Sequence, residues 1–72
     1  MVHGPSVFDG DALVREAALI LIDGWGMAAR GEAADREYTC LARGDHTGRA
    51  IWRAIGREID LLLAMARPAR LH

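Results

Sequence analysis

The chain has 72 residues, a hydrophobic content of 51% and a formal net charge of −1. A chain of this length forms one domain, residues 1–72, and buries only about 60% of the surface that its unfolded form exposes, so a monomer would be marginally stable. The balanced charge argues against binding to nucleic acid or to an anionic membrane through a basic excess. All nine basic residues are arginine, which indicates a GC-rich genome rather than phosphate-binding chemistry.

The cysteine content and the N-terminal sequence bear on the cellular compartment. Cys40 is the single cysteine and has no partner for an intramolecular disulfide. The segment MVHGPSVFDGD lacks the basic start and the apolar core of a secretory signal. The apolar runs at 17–22 and 61–66 are much shorter than the roughly 20 residues that cross a membrane. We therefore expect a cytoplasmic bacterial protein that does not enter a membrane.

The first predicted helix covers residues 9–25 and follows a flexible lead-in at 1–8. Asp9 is the predicted N-cap, and Phe8 with Leu13 are spaced as a hydrophobic staple. Glycines on both sides of Trp25 end or kink the helix. Its expected inner face consists of Leu13, Ala17, Ile20 and Leu21, which Val14, Ala18 and Ile22 extend sideways.

The second predicted helix covers residues 27–43. Its best apolar stripe is Ala34, Tyr38 and Leu41, with Ala33 beside them. Gly44 supplies the stop, and Asp45 directly after it is a good N-cap for the next helix.

The third predicted helix covers residues 45–66 and is strongly amphipathic. Trp52 is expected to anchor the core from its first turns. Pro68 lies just beyond the helix, and residues 67–72 are expected to fray. The apolar stripe consists of Ile51, Trp52, Ile55, Ile59, Leu62, Leu63 and Ala66.

These elements predict an all-α fold, a small three-helix bundle with short connections and an up-down-up arrangement. Some apolar residues lie outside the faces that three short helices can bury among themselves. They predict a second buried contact, for which a homodimer is the simplest source. The residues are Val14 and Ile22 on the first helix and Ala54, Leu61 and Met65 on the third.

No pattern in the chain indicates catalysis, a cofactor or a metal. His3, His46 and His72 have no partner at ligand spacing, and the carboxylates show no ExxH or paired arrangement. Cys40 lacks a neighbouring base and is better explained as a small, partly buried thiol. Gly24 and Gly26 form a GxG that follows no strand, so a phosphate loop is not indicated.

The arginines are the side chains best suited to bind a partner. Arg49, Arg53 and Arg57 recur every fourth residue, and we interpret this stripe as a solvated face in preference to a contact for an acidic partner or a phosphate. The expected local charge neighbours are Asp45 for Arg49 and Asp60 for Arg57. Arg36 is expected to pair with Asp45 or to lie over Trp52. Trp25, in a glycine-flanked turn, is a better candidate than Trp52 for an exposed interface anchor, although packing over the end of the bundle is the default expectation for it.

The residue pattern resembles a group of short, uncharacterised alphaproteobacterial helical proteins of the domain-of-unknown-function type. In that group a histidine stands at the position of Trp25. The resemblance implies a small cytoplasmic helical protein without an assigned activity, and it carries no catalytic residue to this chain. The residues involved are Ala17, Trp25, Gly26, Ala33, Arg36, Leu41, Gly44, Asp45, Ala50, Trp52, Ile55 and Ile59.

Two functions follow as expectations. The first is a non-enzymatic, self-associating helical interaction or accessory protein, with an unidentified protein partner as a further possibility. The alternative is a small nucleic-acid-binding regulator, in which His46, Thr47 and the arginine stripe would meet the nucleic acid as in a helix-turn-helix. The acidic balance of the chain and the apolar residues next to that stripe argue against the alternative.

Overall fold

The computed structural model describes residues 5–66, with side chains from Ala12 to Ala66. Every element in this part of the chain is helical, which confirms the all-α class. Helix α1 covers Pro5–Trp25, a 3-10 turn covers Gly26–Ala28, α2 covers Ala29–Arg43 and α3 covers His46–Ala66. The predicted tail at 67–72 and the first part of the predicted lead-in lie outside the described residues.

Helix α1 begins earlier than the sequence predicts. It starts at Pro5, so Asp9 lies inside the helix and the prediction of an N-cap at Asp9 is wrong. Proline is well suited to a first helical turn because its missing amide hydrogen would have no partner there. The helix therefore begins at Pro5, ahead of Asp9, the capping residue that the sequence predicts.

Helices α1 and α2 are joined without a loop. The 3-10 turn follows Trp25 directly, and Gly26 adopts a positive φ of 57°. This left-handed residue changes the direction of the chain where the glycines predicted an end or a kink. The two helices therefore form one bent helical segment, and the three-helix up-down-up bundle is not confirmed.

The junction between α2 and α3 matches its prediction in detail. Gly44 has a φ of 75°, its amide donates to the carbonyl of Leu41 at 3.1 Å, and the Asp45 amide donates to the carbonyl of Cys40 at 2.9 Å. This pair of bonds is a Schellman motif. Asp45 Oδ1 accepts a hydrogen bond from the Gly48 amide at 2.9 Å, as an N-cap does. The reversal of the chain is thus fixed by backbone and cap hydrogen bonds.

Helix α2 runs antiparallel to α3 along much of its length. Arg30 near the start of α2 pairs with Asp60 near the end of α3, and Glu37 lies beside Arg53, earlier in α3. Gly56 permits a close approach, since a Cβ there would lie 2.9 Å from an Arg30 guanidinium nitrogen. Helix α1 contacts both of the other helices but packs less extensively on α3 than α2 does.

The core is small and rich in alanine. The predicted stripe of Ala34, Tyr38 and Leu41 on α2 is wrong, because all three side chains are exposed and the buried face is instead that of Ala29 and Ala33. Trp52 is half-buried rather than fully buried, and it packs against the core with five other partly buried hydrophobic residues. The buried hydrophobic residues are Ala18, Leu21, Ala29, Ala33, Ile55 and Ile59.

The molecule is flat rather than spherical. It measures 46 × 37 × 18 Å and has a radius of gyration of 14.0 Å. A compact chain of this length would have a radius of gyration of about 11 Å. Among the described helices, none combines the length and the apolar character required of a membrane span.

The glycine at the α2–α3 junction provides a test of this fold. We expect Gly44→Ala to lower the free energy of unfolding by about 1–2 kcal/mol, because an alanine Cβ is disfavoured in the left-handed conformation although the site has free space around it. Gly31→Ala is the matched control. This exposed position inside α2 also has free space, and alanine there should raise stability by roughly 0.5–1 kcal/mol. Urea unfolding followed by circular dichroism measures both, and equal effects at the two sites would contradict the assignment.

Candidate interaction surface

An apolar groove lies between the middle of α1 and the first half of α3. Its volume is about 470 Å³. Two exposed side chains stand at the groove, Leu13 at 64% and Ile51 at 48%. No polar side chain lines it, so the groove offers shape and apolar contact but no group for proton transfer or nucleophilic attack. The lining residues are Leu13, Val14, Ala17, Ala50, Ile51, Ala54 and Ile55.

The same side of α3 carries two further exposed apolar residues in its second half. Leu61 is 52% exposed and Met65 is 69% exposed. With 3.6 residues per turn, these side chains lie within an arc of about 60° that also contains Ala50 and Ala54. We call this set of four residues, Ala50, Ala54, Leu61 and Met65, the outer stripe of α3. The exposure of Leu61 and Met65 agrees with the sequence prediction, whereas Ala54 is half-buried.

The apolar residues of α1 that remain exposed are not those that the sequence predicts. Val14 and Ile22 are half-buried against the core, whereas Leu13 and Ile20, predicted on the inner face, are exposed at 64% and 65%. Apolar residues cover a wide arc of α1, so periodicity alone gives no preference for either side of it. Small size was the available signal, since Ala18 is fully buried whereas the larger Leu13 and Ile20 are exposed.

An ion pair between α1 and α3 lies next to the groove. Arg15 Nε donates to Glu58 Oε2 at 3.0 Å, and the Glu58 side chain is only 19% exposed. These two residues, with Ala12 and Val14, line a second depression of about 590 Å³. The pair connects α1 to α3 beside the groove.

The arginine stripe of α3 is partly neutralised by α2. The Nε atoms of Arg49 and Arg53 lie 3.7 and 3.5 Å from the same Glu37 oxygen, beyond good hydrogen-bond length. The Arg49 Nε is buried and has no hydrogen-bond partner. Arg57 is exposed. Asp45 and Asp60, the charge neighbours predicted from the sequence, are instead engaged in the helix cap and with Arg30.

Arg36 makes one of its two predicted contacts. Its guanidinium carbon lies 5.1 Å from the centre of a Trp52 ring, within the range of a cation–π interaction. Its ion pair is with Glu32, one turn earlier on α2, at 2.8 Å, and the predicted pairing with Asp45 is wrong. The Trp52 ring is thereby covered on one side by a side chain of α2, which supports a packing role.

Trp25 is exposed, which is the less expected of the two outcomes for its glycine-flanked position. Its side chain is 51% accessible at the end of α1, and Met27 in the adjoining turn is 75% accessible. This small apolar surface at the bend is a second candidate for contact with a partner. Its size is modest because glycines with no side chain flank the ring.

The remaining sequence candidates give no assembled site. Cys40 is half-buried, and its sulfur would lie 2.9 Å from a Cβ placed at Gly48, so it packs in the α2–α3 junction. His46 is exposed at the start of α3, while His3 and His72 lie outside the described residues. Between Ala12 and Ala66, no cluster of three or more histidine, cysteine or carboxylate side chains is placed to hold a metal ion.

Comparison of the chain with protein-family models, curated proteins and solved structures finds no match in any of the three. The resemblance to short alphaproteobacterial helical proteins therefore stays a prediction. The function has to be argued from the surface of the chain itself.

The two tryptophans provide a matched test of packing against exposure. Trp52→Ala should lower the free energy of unfolding by roughly 2 kcal/mol, less than the ~3–5 kcal/mol for a fully buried aromatic residue, because the ring is half-buried. Trp25→Ala, at an exposed ring, should change it by no more than about 0.5 kcal/mol. Chemical unfolding followed by circular dichroism measures both variants. A larger effect at Trp25 than at Trp52 would show that their roles are reversed.

Proposed function

We propose that this chain is a non-enzymatic helical interaction protein that self-associates through the apolar faces of α1 and α3. The observation that carries the proposal is the set of large apolar side chains that α1 and α3 leave exposed beside a groove of about 470 Å³ with no polar side chain in its lining. The exposed side chains are Leu13, Ile20, Ile51, Leu61 and Met65.

The chemical character of that surface supports contact with protein rather than catalysis. Large apolar side chains exposed together are uncommon on a stable monomer and mark interaction sites. Leu13, Ile20 and Ile51 contribute to such a surface around a groove with a purely apolar lining. Burial of this surface would add hydrophobic stabilisation to a chain in which only six hydrophobic side chains between Ala12 and Ala66 are buried.

Self-association is tested by sedimentation velocity across micromolar concentrations. We expect the parent chain to show a concentration-dependent dimer and Ile51→Glu to shift it to monomer, because a charge at the groove would lose its water on association. Ile51 is 48% exposed, so the monomer should keep its helical content. Tyr38→Glu is the control, since Tyr38 is 71% exposed on α2, away from the groove. A parent chain that is a folded monomer at every concentration would contradict the proposal.

The alternative is a small regulator that binds nucleic acid through Arg49, Arg53 and Arg57. It is less well supported, because Glu37 offsets part of the charge of Arg49 and Arg53. If it holds, binding to DNA or RNA should weaken steeply with salt, and Arg53→Glu with Arg57→Glu should abolish it. Arg15→Glu on another face is the control. Filter binding or fluorescence anisotropy at low salt measures this, and no detectable binding there would end the alternative.

A further inference from the structure

We infer that the self-association proposed above, on which this inference rests, is a two-fold dimer in which α3 packs antiparallel against α3 of a second copy. The size of the side chains along the outer stripe leads to this arrangement. The first half of the stripe carries two alanines, Ala50 and Ala54, and the second half carries two large residues, Leu61 and Met65. One chain therefore presents a depression and a projection on the same face.

The spacing of the four residues is symmetric. Ala50 and Met65 are equally far from the midpoint between Arg57 and Glu58, and so are Ala54 and Leu61. An antiparallel copy centred on that midpoint places Leu61 of each chain opposite Ala54 of the other and Met65 opposite Ala50. Contacts in a two-fold dimer are reciprocal, so a single pattern of small and large residues is complementary to itself. A parallel arrangement would instead place alanine on alanine and leucine on leucine.

The groove provides room for the projecting side chains. Ala50 and Ala54 form part of its lining, together with Ala17 and Leu13 from α1. A leucine that enters at Ala54 would contact apolar atoms of both α1 and α3, because the groove lies between the two helices. Exposures of 52% for Leu61 and 69% for Met65 leave these side chains free to enter it.

The charges near the centre of the stripe are compatible with the packing. Glu58 is already paired with Arg15 at 3.0 Å within one chain, so it enters the contact neutralised. Arg57 is exposed at the edge of the stripe, about 50° from its centre by helical geometry, where its guanidinium can remain in water. No unpaired charge has to be buried beneath the apolar contacts.

A size-exchange experiment tests the pairing of Ala54 with Leu61. Ala54→Leu overfills the depression and Leu61→Ala removes the projection, so each should weaken dimerisation roughly tenfold. The double variant A54L/L61A exchanges the two sizes and should return the dissociation constant to within about threefold of the parent. Analytical ultracentrifugation measures all four proteins. A double variant weaker than both single variants would overturn the pairing.

Cysteine cross-linking on a Cys40→Ser background tests the direction of packing independently. When Ala54→Cys and Leu61→Cys proteins are mixed and oxidised, the mixture should form a disulfide dimer, whereas neither protein alone should, since identical positions lie about 10 Å apart along the helices. Tyr38→Cys added to either protein is the negative control. Cross-linking of each variant with itself and not in the mixture would indicate parallel helices and overturn the inference.

A parent that is a monomer would contradict the proposed function, whereas a parent dimer without the mixed cross-link would contradict this arrangement alone.

Discussion

Close approach of the helices through alanine is the constraint on which the rest of the structure depends. Ala18 on α1 and Ala29 and Ala33 on α2 are completely inaccessible, and Ile59 of α3 is the largest fully buried side chain in the part of the chain whose side chains are described. Alanine allows two backbones to come close, but it contributes little apolar area of its own. The helices thus bury a small area at their contacts, and many of the larger apolar residues remain exposed. This division accounts for the flat shape of the molecule and for its exposed apolar surface.

Polar contacts fix the relative positions of the helices more than they stabilise them. Each described ion pair has at least one partner with a side chain that is a third or more exposed, and exposed pairs contribute about 0–1 kcal/mol. The Arg15–Glu58 and Arg30–Asp60 pairs nevertheless join different helices and define their register. The Schellman motif at Gly44, with its Asp45 cap, adds a local reversal that does not depend on distant contacts. These contacts hold the helices in a defined register around a small core. The helices can therefore present a fixed surface to a second chain.

The sequence predicted the features that depend on a few neighbouring residues. The stop at Gly44, the cap at Asp45 and the Arg36 contact with Trp52 are all confirmed. Each follows from backbone preference or from short-range geometry. On α3, Ile55 and Ile59 are buried as the predicted stripe requires, whereas Ile51 and Ala66 of the same predicted stripe are exposed, so the stripe is only partly correct.

The sequence was less informative about which face of a helix turns inward. On α2 the largest apolar residues, Tyr38 and Leu41, are exposed and the alanines are buried, because tight packing favours the smallest side chains at the contact. On α1 apolar residues surround most of the helix, so Leu13 and Ile20 could not be separated from Ala18 and Leu21 by periodicity. Hydrophobicity identifies residues that gain from leaving water. It does not distinguish burial within a chain from burial against another one.

Helix α3 has three different faces. The face with Ile55 and Ile59 packs in the core, the edge with Arg49 and Arg53 meets Glu37 of α2, and the outer stripe faces away from both. A change on the outer stripe can therefore alter association without removing a core contact. Association in turn would stabilise the folded chain by mass action, since a partner that binds only the folded form shifts the folding equilibrium. For a chain with such a small core, folding and self-association would then be coupled through a single helix.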